Sequence, residues 1–399
     1  MNILFVHEVD WLGKVVFDVH SLAEGLSLLG HRVYAVDYES MWKPHERPII
    51  SKGKVKYGVS RAIKGSSVCL ISPPFVKIPV LSRVSAFFAY WYLIGKVIKR
   101  CKIDCIVLYA VPTSGLQTIF WAKLFGVPVV FRAIDVLSEL VSYQFLRPII
   151  RIMERTIYSQ VDAILALTNK LREYVVSMRA KPDKAELLPM VIDDIFIPTN
   201  ADVLRKKLGF AKDDKIILFI GTLFAFSGLD MFIPQFSSYV KNNPKLKLLI
   251  VGDGIQRRKL EALAKEYNLV NNVVILGFQP YSDMPQYIGM ADVCLLSFMK
   301  CKATDAVFPG KLVQYLACGK PVVMQPLDGV RSVIAGENQG VVYVFNPDEM
   351  AKEVLSLLES PKCHLIGQAG IAYAKQNHDI KLVIKRLEDK LKDLVYGER

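Results

Sequence analysis

Three short glycine-bearing segments in the second half of this 399-residue chain hold residue types that could bind a phosphate. In the first, the apolar run 216–220 ends in Gly221-Thr222-Leu223, and Ser227-Gly228-Leu229-Asp230 precedes an apolar helical pattern. A strand, a glycine turn and a helix start leave backbone N–H groups unpaired and aim the positive end of a helix dipole at an anion. The second, Leu249-Ile250-Val251-Gly252-Asp253-Gly254, sets glycines where a neighbouring chain or a ligand can approach the backbone, with Arg257 and a helix following. The third runs Phe308-Pro309-Gly310-Lys311-Leu312-Val313-Gln314 and on to Gly319 and Pro321. Pro309 suits a first helical turn, where an amide hydrogen has no intrahelical partner. Gly310, Lys311 and Leu312 then offer amides to a diphosphate, and the Lys311 ammonium adds a point charge. Taken singly, the first two segments also fit an ordinary strand-to-helix turn, and Lys311 an ordinary surface lysine.

The first half carries a smaller set. Phe131-Arg132-Ala133-Ile134-Asp135 closes an apolar run. At the carboxyl end of a buried strand, Arg132 could supply a phosphate cation and Asp135 could bind a sugar or acceptor hydroxyl. The alternative is a structural ion pair. His7, Trp11 and Gly13 follow the first apolar run and are candidates for acceptor contact, with packing the alternative for Trp11. His20 and His31 read as structural, and His378 has no partner visible in sequence.

The elements that must position these residues alternate. Strand-like runs lie at 3–6, 33–36, 68–71, 105–109, 128–131 and 163–167, with helix-period segments between them, such as 16–29 ending at Gly30. The pattern restarts at 215–220, 247–251, 273–276, 293–296, 321–324 and 341–344. Near-continuous apolar strands separated by helices imply parallel sheets covered on both faces. A Pro- and Asp-rich stretch near 190–200 reads as a linker, and 380–395 as an amphipathic helix. The expected fold is therefore α/β, with two doubly wound Rossmann-like domains and a ligand cleft at the carboxyl ends of the strands.

Composition narrows the class. At 52% hydrophobic and 22% charged, the chain is too apolar for disorder, and no short repeat is visible. The seven cysteines form no C-x-x-C pair and no metal-ligand spacing, so buried apolar thiols in a reducing cytoplasm are expected. The first residues lack the basic flank of a signal peptide, and the apolar run 84–95 is shorter than the ~20 residues of a spanning helix. The net charge is +13, and residues 47–103 hold 12 basic side chains and no acidic one. Such a field attracts phosphates of a nucleic acid, an anionic membrane or a substrate.

Together the motifs resemble the retaining glycosyltransferases of family 4 in their two-domain GT-B architecture. The resemblance runs from Asp10-Trp11-Leu12-Gly13 and Leu29-Gly30-His31-Arg32-Val33, through the VGDG turn and Leu276-Gly277-Phe278, to the LACGKPVV segment. It implies an acceptor-binding domain over 1–192, a nucleotide-sugar domain over 193–375 and a C-terminal helix over 376–399 crossing back to the first domain. It also implies that Gly221, Thr222, Ser227, Gly228 and the Phe308–Leu312 helix start hold a diphosphate, with Phe278 near the base. No cofactor is implied beyond the nucleotide diphosphate sugar, and a cationic helix start can stabilise a departing diphosphate without a metal.

Three departures stand out. Thr222 and Ser227 occupy positions where members carry cations. The usual glutamate pair falls on Ala306 and Gln314, with Asp305 one residue from the first. Arg132 and Asp135 stand where many members place a histidine. These departures keep open a non-catalytic nucleotide-sugar-binding scaffold, or an epimerase on the same plan.

The expected partners are a nucleotide-sugar donor, a polyprenyl-linked or glycan acceptor and an anionic membrane surface on the cytoplasmic side. Nucleic acid is not expected, because no binding module accompanies the charge. The segment 75–100, with Phe87, Phe88, Tyr90, Trp91 and Tyr92 leading to Lys99 and Arg100, either packs on the first sheet, or lies in a bilayer interface, or does both on opposite faces.

Overall fold

The computed structural model describes residues 1–8, 10–13, 15–38, 50–76, 78, 81–109, 111–141 and 143–397. Arg47, Lys77, Pro79 and Val80 of the basic segment lie outside the described residues. The chain divides into two compact units, Met1–Asp193 with Ile380–Arg399, and Asp194–Asp379.

Unit 1 opens with β1 (Asn2–Val6), α1 (Asp18–Leu28), β2 (Arg32–Val36), β3 (Ile50–Ser51), β4 (Lys54–Val59), β5 (Val68–Ser72) and β6 (Phe75–Val76). It continues with α2 (Leu81–Cys101), β7 (Cys105–Leu108), α3 (Gly115–Phe125), β8 (Val129–Ala133), α4 (Arg147–Tyr158), β9 (Ala163–Ala166), α5 (Asn169–Ser177) and β10 (Ala185–Leu187). Among the described residues its main sheet runs β10-β9-β8-β7-β1-β2-β5-β4. Every pairing is parallel except β4 on β5. The antiparallel edge strand β4 departs from the expected parallel sheet: it is exposed over most of its length and carries Lys54 and Lys56, charges that discourage a further strand from adding there.

Unit 2 comprises α6 (Asp202–Lys207), β11 (Lys215–Ile220), α7 (Leu229–Val240), β12 (Leu246–Val251), α8 (Arg257–Glu266), β13 (Val273–Gly277) and α9 (Met284–Met290). Then come β14 (Val293–Leu296), α10 (Gly310–Ala317), β15 (Val322–Met324), α11 (Asp328–Arg331), β16 (Val341–Tyr343), α12 (Met350–Glu359) and α13 (Lys362–His378). Its sheet is parallel throughout, in the order β13-β12-β11-β14-β15-β16. Strand order reverses between β11 and β14, so the loops after those strands diverge and leave the crevice in which doubly wound folds bind ligands.

The last helix, α14 (Ile380–Tyr396), belongs to unit 1. Val383, Leu387 and Leu391 recur at helical spacing and are fully buried with Val19, Leu22 and Leu26 of α1. Burial of each such leucine contributes about 1.5–3 kcal/mol. Gly25 permits the crossing, since a Cβ there would lie 1.8 Å from Ile384 Cδ1.

Candidate functional site

In unit 2 the loops after β11, β12 and β13 nest on one another through their backbones. Gly221 N–H donates to the Val251 carbonyl at 2.9 Å, Leu223 N–H to Asp253 at 3.0 Å and Gly252 N–H to Gly277 at 2.8 Å. A Cβ on Gly252, where φ is +144°, would sit 2.0 Å from the Gly221 carbonyl oxygen. Gly252, expected to receive a donor molecule, therefore receives the neighbouring loop: its open face is filled by chain. Gly228 is similar. Its Cβ would fall 2.0 Å from the Ser297 carbonyl, and Ser297 Oγ donates to the Ser227 carbonyl at 2.6 Å. These contacts seat the start of α7 on the residue that follows β14, at the point where strand order reverses. Ser227 is buried there, whereas Thr222 is exposed.

The face of Gly221 is occupied differently. With φ +131°, a Cβ there would meet Lys311 Nζ at 2.4 Å, so only glycine leaves room for the ammonium. Lys311 sits in the first turn of α10, and its Nζ lies 4.1 Å from the Phe219 ring centroid and 4.6 Å from that of Phe298. Among the described residues no carboxylate pairs with it. Burial lowers its pKa from 10.5 to about 7. A half-neutral amine held against two π faces, beside a glycine turn and a helix start, gains most by meeting an anion, which would restore its proton. Tyr315, one turn further along α10, accepts the Ile220 amide hydrogen at 2.7 Å and ties the helix to β11.

The remaining residues of this set divide. Phe308 is buried with its ring 5.4 Å from that of His378, Pro309 is buried and Leu312 is fully enclosed, so only their backbones can face a ligand. Asp305 Oδ1 accepts the Asp328 amide at 2.9 Å and pairs with Lys300 at 3.3 Å. That oxygen therefore anchors a loop, and Asp305 does not stand free as a substitute for the missing glutamate. The Gln314 side chain is half-buried and has no hydrogen-bond partner among the described residues. Phe278 follows β13 and is 67% exposed.

In unit 1 the structure corrects three expectations. Arg132 does not open onto a ligand site. Its Nε and Nη2 hold Asp18 at 2.9 and 3.0 Å, Nη1 donates to the Leu165 and Leu188 carbonyls at 3.3 and 2.6 Å, and Nη2 to Pro189 at 3.1 Å. All five donors of the guanidinium are thereby matched inside the core. Trp11 is fully buried, with His7 and His20 at ring distances of 5.1 and 4.6 Å. His7 is buried too, so neither presents a surface to an acceptor. Burial lowers the His7 pKa to about 3 and that of His20 to about 4. Gly13 closes an Asp10 turn by donating to its carboxylate at 2.9 Å. Asp135 is half-buried, and desolvation raises its pKa to about 6; among the described residues its carboxylate has no hydrogen-bond partner.

Phe219, Phe298, Tyr315 and Ser297 are missing from the sequence reading. The sole signal for the aromatic cage is an apolar strand residue and a phenylalanine two positions beyond another strand, about 80 residues apart, joined only by strand pairing. Among the described residues, no group of three His, Cys, Asp or Glu side chains could hold a metal ion, and no helix is long and apolar enough to cross a membrane.

Two doubly wound units with nested glycine loops at a strand-order reversal define the class as a two-domain α/β protein of GT-B type. Residues 200–385 match the family model "Glycosyl transferases group 1" and residues 16–195 match "Glycosyltransferase Family 4". The chain belongs to glycosyltransferase family 4. The D-inositol 3-phosphate glycosyltransferase of Segniliparus rotundus is 25% identical over 49% of this chain and 44% of its own length. From Campylobacter jejuni, the N-acetylgalactosamine-N,N'-diacetylbacillosaminyl-diphospho-undecaprenol 4-alpha-N-acetylgalactosaminyltransferase is 29% identical over 52% of this chain and 53% of its own. These matches span about half the length of the relatives. The fold also agrees with that of Anabaena HepE in complex with UDP and glucose, with a TM-score of 0.73, 17% identity, and 98% and 99% of the two chains covered.

Proposed function

We propose that this chain is a retaining glycosyltransferase of the hexosyl-transferring kind, which moves a sugar from a nucleotide diphosphate sugar to a lipid-linked or glycan acceptor at a membrane surface. The observation that carries the reading is the Lys311 ammonium, caged by Phe219 and Phe298 beside the Gly221 turn and without an anionic partner among the described residues. A departing diphosphate supplies the anion this position lacks, and charge stabilisation of the leaving group is the largest demand of such a transfer. The amides of Gly310 and Lys311 at the start of α10 would share that charge. Gln314 would hydrogen-bond a ribose hydroxyl and Phe278 would lie by the base. Asp135 would meet a sugar or acceptor hydroxyl. The Campylobacter relative, which acts on a diphospho-undecaprenol acceptor, supports a lipid-linked acceptor here.

The uncharged Gln314 favours a second reading, a non-catalytic nucleotide-sugar binder that recruits a partner transferase. Incubation with a panel of nucleotide sugars and polyprenyl-diphosphate-linked acceptors separates the two. Turnover supports the transferase; binding without turnover supports the scaffold; sugar conversion without acceptor indicates an epimerase. Absence of both turnover and nucleotide diphosphate binding sinks all three.

A further inference from the structure

Helix α2 has two apolar faces, and only one of them is covered by the described residues. Ala86, Tyr90, Ile94 and Ile98 recur at helical spacing and are buried. The opposite stripe, Leu81, Val84, Phe88, Trp91 and Tyr92, is as apolar and lies in the open, Phe88 at 68% and Tyr92 at 67% exposure. The stripe continues onto α3, whose 11 residues carry one charge, Lys123, and whose Phe120, Leu124 and Phe125 are exposed.

The rings form one ladder across the two helices. Phe87 and Trp91 stand 6.5 Å apart, Trp91 and Phe120 5.0 Å, Phe120 and Trp121 5.2 Å, and Trp121 and Phe125 5.7 Å. Its geometry is preset: Trp121 Nε1 donates to the Trp91 carbonyl at 2.6 Å, and Gly95 gives the indole room, since a Cβ there would lie 2.6 Å from Trp121 Cε2. An open groove along Leu116, Ile119, Phe120 and Leu124 extends the face. Contiguous apolar surface of this kind on a globular unit marks an interaction site.

Charge selects the partner. Neither α2 nor α3 holds an acidic residue. Lys99 and Arg100 end α2, Lys123 lies on α3, and the Lys96 ammonium sits 5.2 Å over the Tyr92 ring. Long basic side chains rimming an aromatic face let the rings enter an apolar layer while the charges reach headgroups. A second copy of the chain would set positive rim against positive rim, because a two-fold interface must be self-complementary.

We propose that the α2–α3 face docks on an anionic bilayer, with Phe88, Trp91, Tyr92, Phe120 and Leu124 in the interface and Lys96, Lys99, Arg100 and Lys123 on the headgroups. This gives the membrane surface of the proposed function a defined contact, though docking itself requires no sugar transfer.

The test is co-sedimentation of the full chain with phosphatidylcholine vesicles, with and without about 30% phosphatidylglycerol. Binding is expected to be about tenfold or more stronger to the anionic vesicles and to weaken with salt. Phe88→Ser/Tyr92→Ser and, separately, Lys99→Glu/Arg100→Glu should each cut it about tenfold with the melting temperature and UDP binding unchanged. Wild-type binding retained in both variants overturns the proposal. So does failure of the wild type to bind any vesicle, or a monodisperse dimer that the Phe88→Ser/Tyr92→Ser change dissociates. UDP binding measured on the same samples reports on the transferase reading independently.

Discussion

Lys311→Met keeps most of the side-chain length between Phe219 and Phe298 and removes the charge, and it should produce two effects of opposite sign. The folded-state pKa is lowered from 10.5 to about 7 by burial. Converted in full, that shift costs the folded protein about 4 kcal/mol at neutral pH. The residue is half-buried, and solvent screening leaves on the order of 1–3 kcal/mol. In the unfolded chain the amine keeps its proton up to about pH 10.5, whereas in the fold it releases it near 7. The unfolded state thus binds more protons between those values, and wild-type stability gains from this group as pH rises across that window. The methionine variant should lose that slope and at pH 7 melt several degrees higher, at about 2–4 °C per kcal/mol for a domain of this size. Nucleotide diphosphate binding should move the other way. A charge-assisted contact to phosphate contributes about 1.5–3 kcal/mol, so UDP should bind roughly tenfold to a hundredfold more weakly. Wild-type affinity should also fall as pH rises through about 7, because binding draws a proton onto the amine, while the variant's affinity should depend less on pH. Calorimetric titration and thermal unfolding on the same samples read both effects. UDP affinity within twofold of wild type, together with an unchanged melting temperature, would refute the assignment of this cage as a diphosphate site.

Arg132→Met strands Asp18 without its bidentate partner and should destabilise unit 1 by about 3–5 kcal/mol in urea unfolding, whereas a variant as stable as wild type would restore a role outside the core. Gly252→Ala drives a methyl into the Gly221 carbonyl and should cost about 1–3 kcal/mol in overpacking, plus the strain of its positive φ; unaltered urea unfolding would contradict the nested-loop geometry. His7 and His20 stay neutral in the fold down to about pH 3 and 4, while their unfolded counterparts protonate near 6.5. Stability from these two groups should therefore be lost as pH falls below about 6.5, and His20→Gln should flatten that part of the melting-temperature profile. Asp135, raised to about 6, contributes the opposite slope over its own window, with stability lost as pH rises through the unfolded and then the folded value, so the comparison is cleanest in an Asp135→Asn background.

The alternating architecture was legible because parallel strands buried on both faces leave continuous apolar runs, such as 248–251 and Val293–Leu296, that no exposed element would tolerate. The exceptions are physical. Strand β4, with Lys54, Lys56 and Gly58, breaks the apolar pattern because an edge strand has one side in water. The start of α10 was visible as Pro309-Gly310-Lys311, since helix-start chemistry is local in sequence. Its cage was not, because Phe219 and Phe298 meet Lys311 only once β11 and β14 have paired. Arg132 misled for a related reason. A strand-end arginine reads identically whether it faces a ligand or a buried acid, and Asp18 lies 114 residues away. The glycines gave a third kind of error: Gly252 signals close approach in sequence, but only the fold reveals that the visitor is the Gly221 loop.

Amide hydrogen exchange with and without saturating UDP tests the central claim most directly. The account predicts slowed exchange at Gly310 and Lys311 and along Gly221–Leu223, with little change in unit 1, and loss of that protection in Lys311→Met. Protection confined to unit 1, or none at any of these amides with any nucleotide diphosphate, would contradict it.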